Sequence, residues 1–341
     1  MDPHVTPERI MQIGTGFMMS KVLLSAVELG LFTVLADEAL TQSEIRDGLG
    51  LHPRSVADFL DALVSVELLV REGDGAAAKY RNTPATALFL DKKSRAYMGG
   101  ILEMMNARLY GHWGALSDGL RTGEPQNEIK HGGHDLFSAL YSDEQRLEQF
   151  LRAMQGAQLG NFMTLVEKID FSKQKTFCDV GGANGTLAAL VAAKHAHLTC
   201  RTFDLPVVAP VAKRNLQAMG LAERVEVLTG NFFTDPLPKS DVITMGNILH
   251  DWDEAQKVEL LTKAHAALEP GGRLVAIEMV IDDARRKNTM GLLMSLNMMV
   301  ETTGGFDYTG AQFDAWCKKA GFERTEIVHL LGPASAAIAY R

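Results

Sequence analysis

The chain has 341 residues, 46% of them hydrophobic and 22% charged, with a formal net charge of −8. That length suggests two or three domains with ample core, and the composition is that of a soluble globular protein. The acidic balance argues against a general nucleic-acid or anionic-membrane binder. Cys178, Cys200 and Cys317 lie far apart, with no CxxC or Cys/His cluster. They suit small core residues in a reducing cytoplasm and offer no metal site. The N-terminus has no cleavable-signal pattern, and no apolar run reaches the length of a membrane-spanning helix. The most apolar stretch, 291–300, is too short and contains Ser295 and Asn297.

Residues 1–100 read as helical. Phe17, Val22, Leu23, Val27, Leu31, Val34 and Leu35 follow helical period, with a break at Gly30. Thr41-Gln42-Ser43-Glu44 has the form of a capping box, Gly48 and Gly50 close the helix it opens, and Pro53 opens the next. Val56, Phe59, Leu60, Leu63 and Val64 form one face of that next helix. Leu68-Leu69-Val70, a glycine-rich turn at 73–75 and Tyr80 then read as a hairpin. Helix, turn, helix and hairpin make a winged-helix pattern, so DNA contact has to be weighed. The recognition-helix position offers Arg54 but also Asp58, Asp61 and Glu67. That charge suits a scaffold or dimerisation module better than a major-groove reader.

Residues 101–168 read as a second helical region, with a turn at 121–125 and a long helix over 143–166. From 169 onward short apolar strands alternate with helices. Strands are expected at 176–180, 199–203, 224–228, 240–245, 273–279, 325–330 and 335–340. The alternation predicts parallel βαβ units, and Gly332-Pro333 between the last two strands predicts an antiparallel hairpin at the end of the sheet. The fold class is therefore α/β: a doubly wound, Rossmann-like domain with a mostly parallel seven-stranded sheet behind a helical winged-helix-like module.

The first strand, Phe177-Cys178-Asp179-Val180, runs into Gly181-Gly182-Ala183-Asn184-Gly185-Thr186, and a helix pattern follows. Asp204 ends the second strand about 20 residues on. This arrangement holds a nucleotide-like ligand at the carboxyl edge of a doubly wound sheet, but the spacing fits neither the dinucleotide fingerprint nor a P-loop. A side chain at Gly181 or Gly182 would block close backbone approach, and the following helix points its N–H groups at the ligand. Asp204 can accept two ribose hydroxyls. Asn231-Phe232-Phe233, after the third strand, can meet an adenine amino group and ring face. The turn resembles the first motif of S-adenosylmethionine (SAM) methyltransferases, with Ala183-Asn184 in place of its central glycine. The expected cofactor set is Asp179, Gly181, Gly182, Asp204 and Leu205, with Asn231, Phe232, Phe233 and Asn247 from the later loops.

A second constellation, Asn247-Ile248-Leu249-His250-Asp251-Trp252-Asp253, follows the fourth strand at the same edge. Glu278 ends the neighbouring strand, where its carboxylate can orient an imidazole. Asp307, in the loop 304–307, can do so from the other side, its alternative role being a helix cap. A histidine tuned by carboxylates suits removal of a phenolic proton.

His-Asp-Trp, the Glu-ending strand and the loop Gly304-Gly305-Phe306-Asp307-Tyr308-Thr309 occur in order. Together with the N-terminal module they resemble the cation-independent small-molecule O-methyltransferases, the family of caffeate, flavonoid and acetylserotonin methyltransferases and bacterial antibiotic-tailoring enzymes. The resemblance covers essentially the whole chain. It implies His250 as general base flanked by Glu278 and Asp307, with SAM on Gly182, Asp204, Asn231 and Phe232. It implies Phe150 and Met154 at the methyl-transfer pocket and Met298 and Thr302 at the acceptor, with the Met-rich stretch adding Met294. It also implies an intertwined homodimer through the N-terminal helices, with no nucleic-acid or membrane partner. On this reading 1–100 is the dimerisation domain, 101–168 a helical linker and substrate-pocket region, and 169–341 the SAM-binding domain.

Four positions depart from the family. Asp307 stands where Glu is usual, Asn231 where many members have Asp, Gly246 where plant members carry Lys, and Asn247 where a bulky aromatic is common. These fit a bacterial relative and leave the acceptor open. The competing readings are a C- or N-methyltransferase on the same fold and a non-catalytic SAM-binding winged-helix regulator.

Overall fold

The computed structural model describes residues 6–131 and 143–341. Its packing divides the chain into two units, Met1–Gly111 and His112–Arg341. The helical stretch expected as a region of its own at 101–168 is shared between them.

In the first unit, α1 (Glu8–Gly14) and α2 (Gly16–Glu28) are separated only by Thr15. Gly30 takes a left-handed φ of 73°, and α3 (Leu31–Val34) starts beyond this break. After β1 (Leu40–Thr41), Thr41 caps α4 (Gln42–Leu49), and its N–H donates to the Glu44 carboxylate at 2.7 Å. This is the reciprocal capping box read from the sequence. The next helix, α5 (Val56–Ser65), begins three residues later than Pro53 promised. The Arg54 N–H is taken by His52 Nδ1 at 3.2 Å, so Pro53 and Arg54 make a turn of their own. A hairpin of β2 (Leu69–Glu72) and β3 (Lys79–Asn82) accepts β1 on its free side, giving the order β1-β3-β2. Two further helices follow, α6 (Pro84–Phe89) and α7 (Gly99–Met104). Leu31, Phe32, Ile45, Leu60 and Leu63 close the core.

Ile10, Met11, Ile13, Phe17, Met18 and Met19 stand more than half exposed along α1 and α2. Glu8–Glu28 is long and apolar enough by length and composition to cross a membrane. This corrects the expectation that no segment reaches that length, because Gly14, Thr15 and Gly16 do not interrupt the apolar run.

The second unit holds α8 (Leu116–Thr122) and the 25-residue α9 (Glu144–Lys168), whose first turn is capped by Asp143. The alternating part follows: β4 (Thr176–Val180), α10 (Thr186–Lys194), β5 (Thr199–Asp204), α11 (Ala209–Ala218), β6 (Val225–Thr229) and β7 (Ser240–Gly246). It continues through α12 (Glu254–Ala267), β8 (Leu268–Glu278), α13 (Thr289–Glu301), α14 (Gly310–Ala320), β9 (Arg324–His329) and β10 (Ser335–Tyr340). The sheet order is β6-β5-β4-β7-β8-β10-β9. Only β10 runs against the rest, antiparallel to both β8 and β9. The terminal hairpin is thus turned inward, with β10 inserted and β9 at the edge.

Strand residues alternate between two cores. Cys178, Val180, Ile243, Met245, Leu274, Ala337 and Ala339 face one, and Phe177, Val242, Val275, Ile277, Ala336 and Ile338 face the other. This is the period-2 pattern of a sheet covered on both sides. All three cysteines are buried and free. Strand order reverses at β4, whose partners β5 and β7 lie on opposite sides, so the switch-point crevice opens at its carboxyl end.

Candidate active site

At the end of β4, Gly181 and Gly185 hold φ of 68° and 76°, and α10 starts at the next residue. The sequence reading assigned Gly181 and Gly182 to the close approach of a ligand. The protein itself also requires them. A Cβ at Gly182 would overlap Thr202 Oγ1 and stand 2.9 Å from the Asp179 carbonyl, and one at Gly181 would overlap the Ile248 side chain. Asp179 is buried, and its Oδ1 accepts the Thr244 hydroxyl at 2.6 Å. Burial raises its carboxyl to about 7. It supports the turn from within the sheet.

Asp204, at the end of β5, is aimed by two backbone donors. Oδ2 accepts the Ala183 N–H at 2.8 Å and Oδ1 accepts the Leu205 N–H at 2.7 Å. Burial pushes this carboxyl up, and the two N–H groups pull it back. Each oxygen keeps a lone pair for a hydroxyl. Leu205 packs with Phe150 and Ala183 against Leu147, Leu151 and Val208. Phe150, expected at the methyl-transfer pocket, therefore stands beside the cofactor turn.

Past β6, Asn231 Oδ1 accepts the Phe233 N–H at 2.9 Å, and the Asn231 N–H donates to Asp235 at 2.8 Å. The amide oxygen thus helps to shape its own turn. Phe232 flanks Gly181, with Cε1 3.9 Å from where a Cβ would sit. Phe233 instead packs edge-on against Trp252, ring centroids 4.6 Å apart, as part of the core.

Asn247, after β7, adopts a left-handed φ of 53°, and its Oδ1 accepts from Gln158 Nε2 at 2.9 Å. Asn161 donates to Gln158 at 2.9 Å, and Asn184 donates to Gln155 at 2.6 Å. One face of α9 thus lays Gln155, Gln158 and Asn161 across two cofactor-edge loops. The sequence reading missed this row. Its signal was three amides at a spacing of three on a helix otherwise read for its apolar face. Asn184 also accepts the Thr186 hydroxyl at 2.8 Å where α10 begins.

His250 lies in the short turn Leu249–Asp251 and is 5% exposed. Its Nδ1 is 3.4 Å from Glu278 Oε2 and 3.5 Å from Asp307 Oδ1. The two acids were expected on opposite sides of the ring. They share one nitrogen, because the end of β8 and the loop 304–307 converge on the same face of the turn. Asp251, to which no role had been given, faces Nε2 at 3.6 Å. Glu278 Oε1 also accepts the Leu249 N–H at 3.0 Å, tying the histidine turn to β8. Asp307 is not a helix cap, since Thr309 caps α14. Burial would drive the imidazole toward its neutral form, but Glu278, Asp251 and Asp307 reverse that and raise it to about 10. Burial likewise raises Glu278, against the pull of His250.

Of the expected acceptor set, Met298 is buried and Met154 and Met294 are half-buried. Thr302 donates its hydroxyl to the Met298 carbonyl and accepts the Gly305 N–H, both at 2.8 Å. Its hydroxyl is committed to holding the loop that carries Asp307.

Comparison with known proteins identifies the family of the chain. The O-methyltransferase domain family matches residues 113–323, and the O-methyltransferase dimerisation domain matches 11–92. The chain is similar to the tetracenomycin polyketide synthesis 8-O-methyl transferase TcmO of Streptomyces glaucescens, 38% identical over 99% of this chain and 98% of the relative. It is also similar to the N,N-dimethyltransferase OxyT of Streptomyces rimosus, 35% identical over 97% of this chain and 95% of that one. Among solved structures, human N-acetylserotonin methyltransferase in complex with SAM superposes with a TM-score of 0.91 at 30% identity, covering 100% of this chain and 99% of the human one. The chain belongs to the SAM-dependent O-methyltransferase family.

Proposed function

We propose that the enzyme methylates a hydroxyl of an aromatic or polyketide-like small molecule, with His250 as the general base. The observation that carries this reading is the buried imidazole at the carboxyl edge, with two carboxylates facing a buried Nδ1 and Asp251 alone facing Nε2. Nε2 is thereby the nitrogen left to take a substrate proton.

The residues at the edge fit SAM. The turn 181–185 carries no Lys or Arg for a phosphate, Asp204 suits a vicinal diol, and Phe232 offers an aromatic face beside Gly181. SAM supplies an electrophilic methyl and a sulfonium charge that disfavours a second cation on the nearby imidazole. Asp204 and the turn orient the cofactor. Glu278 and Asp307 hold the His250 ring and stabilise the imidazolium that forms when the hydroxyl gives up its proton. Most of the acceleration comes from alignment, which supplies roughly 7–11 kcal/mol in well-oriented systems, and base catalysis adds on the order of 100-fold or more. The half-buried Met294 and the buried Met298 suit an apolar ring, because thioethers adapt to irregular shapes.

Of the exposed apolar row, Met11 to Met19 lie in the dimerisation-domain match and Ile10 directly precedes it. This row is the surface we assign to a homodimer, whose burial of these residues replaces the membrane as their cover. Three free cysteines suit a cytoplasmic enzyme.

OxyT keeps a second reading open, methylation of an aromatic amine, in which His250 matters less. Incubation with SAM and matched panels of phenols and anilines, with products identified by NMR, separates the two. O-methylated products from the phenols are expected. Exclusive N-methylation would replace the first reading with the second, and C-methylation would reject both.

A further inference from the structure

Lys257 lies in the first turns of α12 and is completely buried. Lysine is almost never fully buried without a partner, and the N-terminal end of a helix is the wrong end for a cation. Its ammonium donates to the Trp252 carbonyl and sits 3.6 Å over the Phe306 ring, with Trp316 at 5.7 Å. These contacts seat the charge within the wall of the histidine chamber. Two of these contacts adjoin acids of the chamber, Trp252 beside Asp251 and Phe306 beside Asp307, and the ammonium feels the charges of Glu278, Asp307, Asp251 and Asp253. Glu301 of α13 acts on Asp251, and the buried Tyr308 hydroxyl feels Glu278 and Asp307. Within this chamber Glu278 Oε2 and both Asp307 oxygens are buried without a hydrogen-bond donor. They are therefore balanced by charge rather than by hydrogen bonds. Burial pulls the ammonium down to about 8, against the opposite pull of these acids, so the side chain stays cationic at neutral pH.

Three carboxylates around one histidine make a proton trap. An imidazole so placed binds its proton tightly, and a protonated imidazole is no base. We propose that Lys257 is a positioning residue for methyl transfer, a buried counter-cation that offsets Glu278, Asp307 and Asp251 and so weakens their hold on the His250 proton. The proposal rests on the reading of His250 as the base. A cation beside the acids disfavours a second cation on the ring, so its removal must raise the proton affinity of His250.

The test is an NMR titration of the His250 ring in the SAM-bound enzyme, assigned by its loss in His250→Gln, beside the pH profile of kcat/KM. In Lys257→Met and Lys257→Gln the ring midpoint moves up by about one pH unit, the usual effect of one nearby charge. The acid limb of kcat/KM moves with it, and turnover on that limb falls about tenfold. Lys257→Met combined with Asp307→Asn, which removes one charge of each sign, returns the midpoint toward its starting value. Lys257→Arg keeps the charge and leaves the midpoint in place, which tests the idea even if both neutral variants fail to fold. An unchanged midpoint in folded Lys257→Gln overturns the proposal, as does a midpoint that moves equally far in Lys257→Arg. A midpoint that moves while the kcat/KM limb stays put supports the charge role and removes His250 as the base.

Discussion

The two halves of the carboxyl edge are built on different physics. On the β4–β5 side, polar groups are answered by hydrogen bonds: Asp204 takes two backbone N–H groups, Asp179 takes a hydroxyl, and Asn184 is tied to an amide of α9. On the β7–β8 side, His250 Nδ1, Glu278 Oε2 and both Asp307 oxygens are buried without such partners and face one another as charges. Hydrogen bonds fix a shape whether or not a ligand arrives. Unpaired buried charges respond strongly to any new charge, because the low local dielectric magnifies it. The first half is suited to holding a cofactor in one place, and the second to moving a proton.

The largest effect is expected where this contrast is sharpest. His250→Gln should lower kcat at least 100-fold while leaving SAM affinity, measured by calorimetry, within about threefold. Equal turnover with the true acceptor would end the distinction between a binding half and a proton-moving half. Asp204→Ala should do the reverse. It removes the diol acceptor and strands two backbone N–H groups, weakening SAM by about 10- to 100-fold (~1.5–3 kcal/mol). Unchanged affinity would show that Asp204 serves the turn alone.

A smaller effect separates the halves by pH. The His250 ring has its proton affinity raised on folding, to about 10 against an ordinary value near 6.5. Its charge interactions therefore stabilise the fold fully below about 6.5, and that stabilisation is lost as pH rises through about 10. The difference in Tm between the parent and His250→Gln should be largest at about pH 6.5 and shrink toward pH 10. Asp307→Asn should lower the midpoint, since it takes away one acid on Nδ1. A difference that grows with pH would mean the ring is buried neutral.

Much of this edge was legible in the chain. Strand–helix alternation, the glycine turn and the position of Asp204 follow from local rules, and each strand end carried its residue within one or two positions. The sharing of Nδ1 by Glu278 and Asp307 was not legible, because it depends on how a loop 29 positions beyond β8 folds back. Lys257 was invisible for another reason: a lysine in a helix turn reads as solvated, and only packing reveals that Phe306 and Trp316 cover it. The amide row on α9 was hidden because helical period was sought in apolar residues. The bonds of the Thr302 hydroxyl to the Met298 carbonyl and the Gly305 N–H were not legible either, because they depend on how α13 meets the loop that follows it.

Ala183 offers the smallest and most exacting test. It holds a φ of 50°, in the left-handed region where a Cβ costs about 1 kcal/mol, yet it stands where the family prefers glycine. Its N–H is one of the two that aim Asp204. Ala183→Gly relieves the strain but frees more conformations in the unfolded chain, two effects of similar size and opposite sign. Stability by urea denaturation should therefore change by less than about 1 kcal/mol, and SAM affinity by less than about threefold, because the backbone donor is retained. A Cβ at Gly182 next door overlaps Thr202, so Gly182→Ala should cost about 1–3 kcal/mol in the same assay. If the two neighbours behaved alike, the rigidity of the cofactor half would lie elsewhere than in this turn.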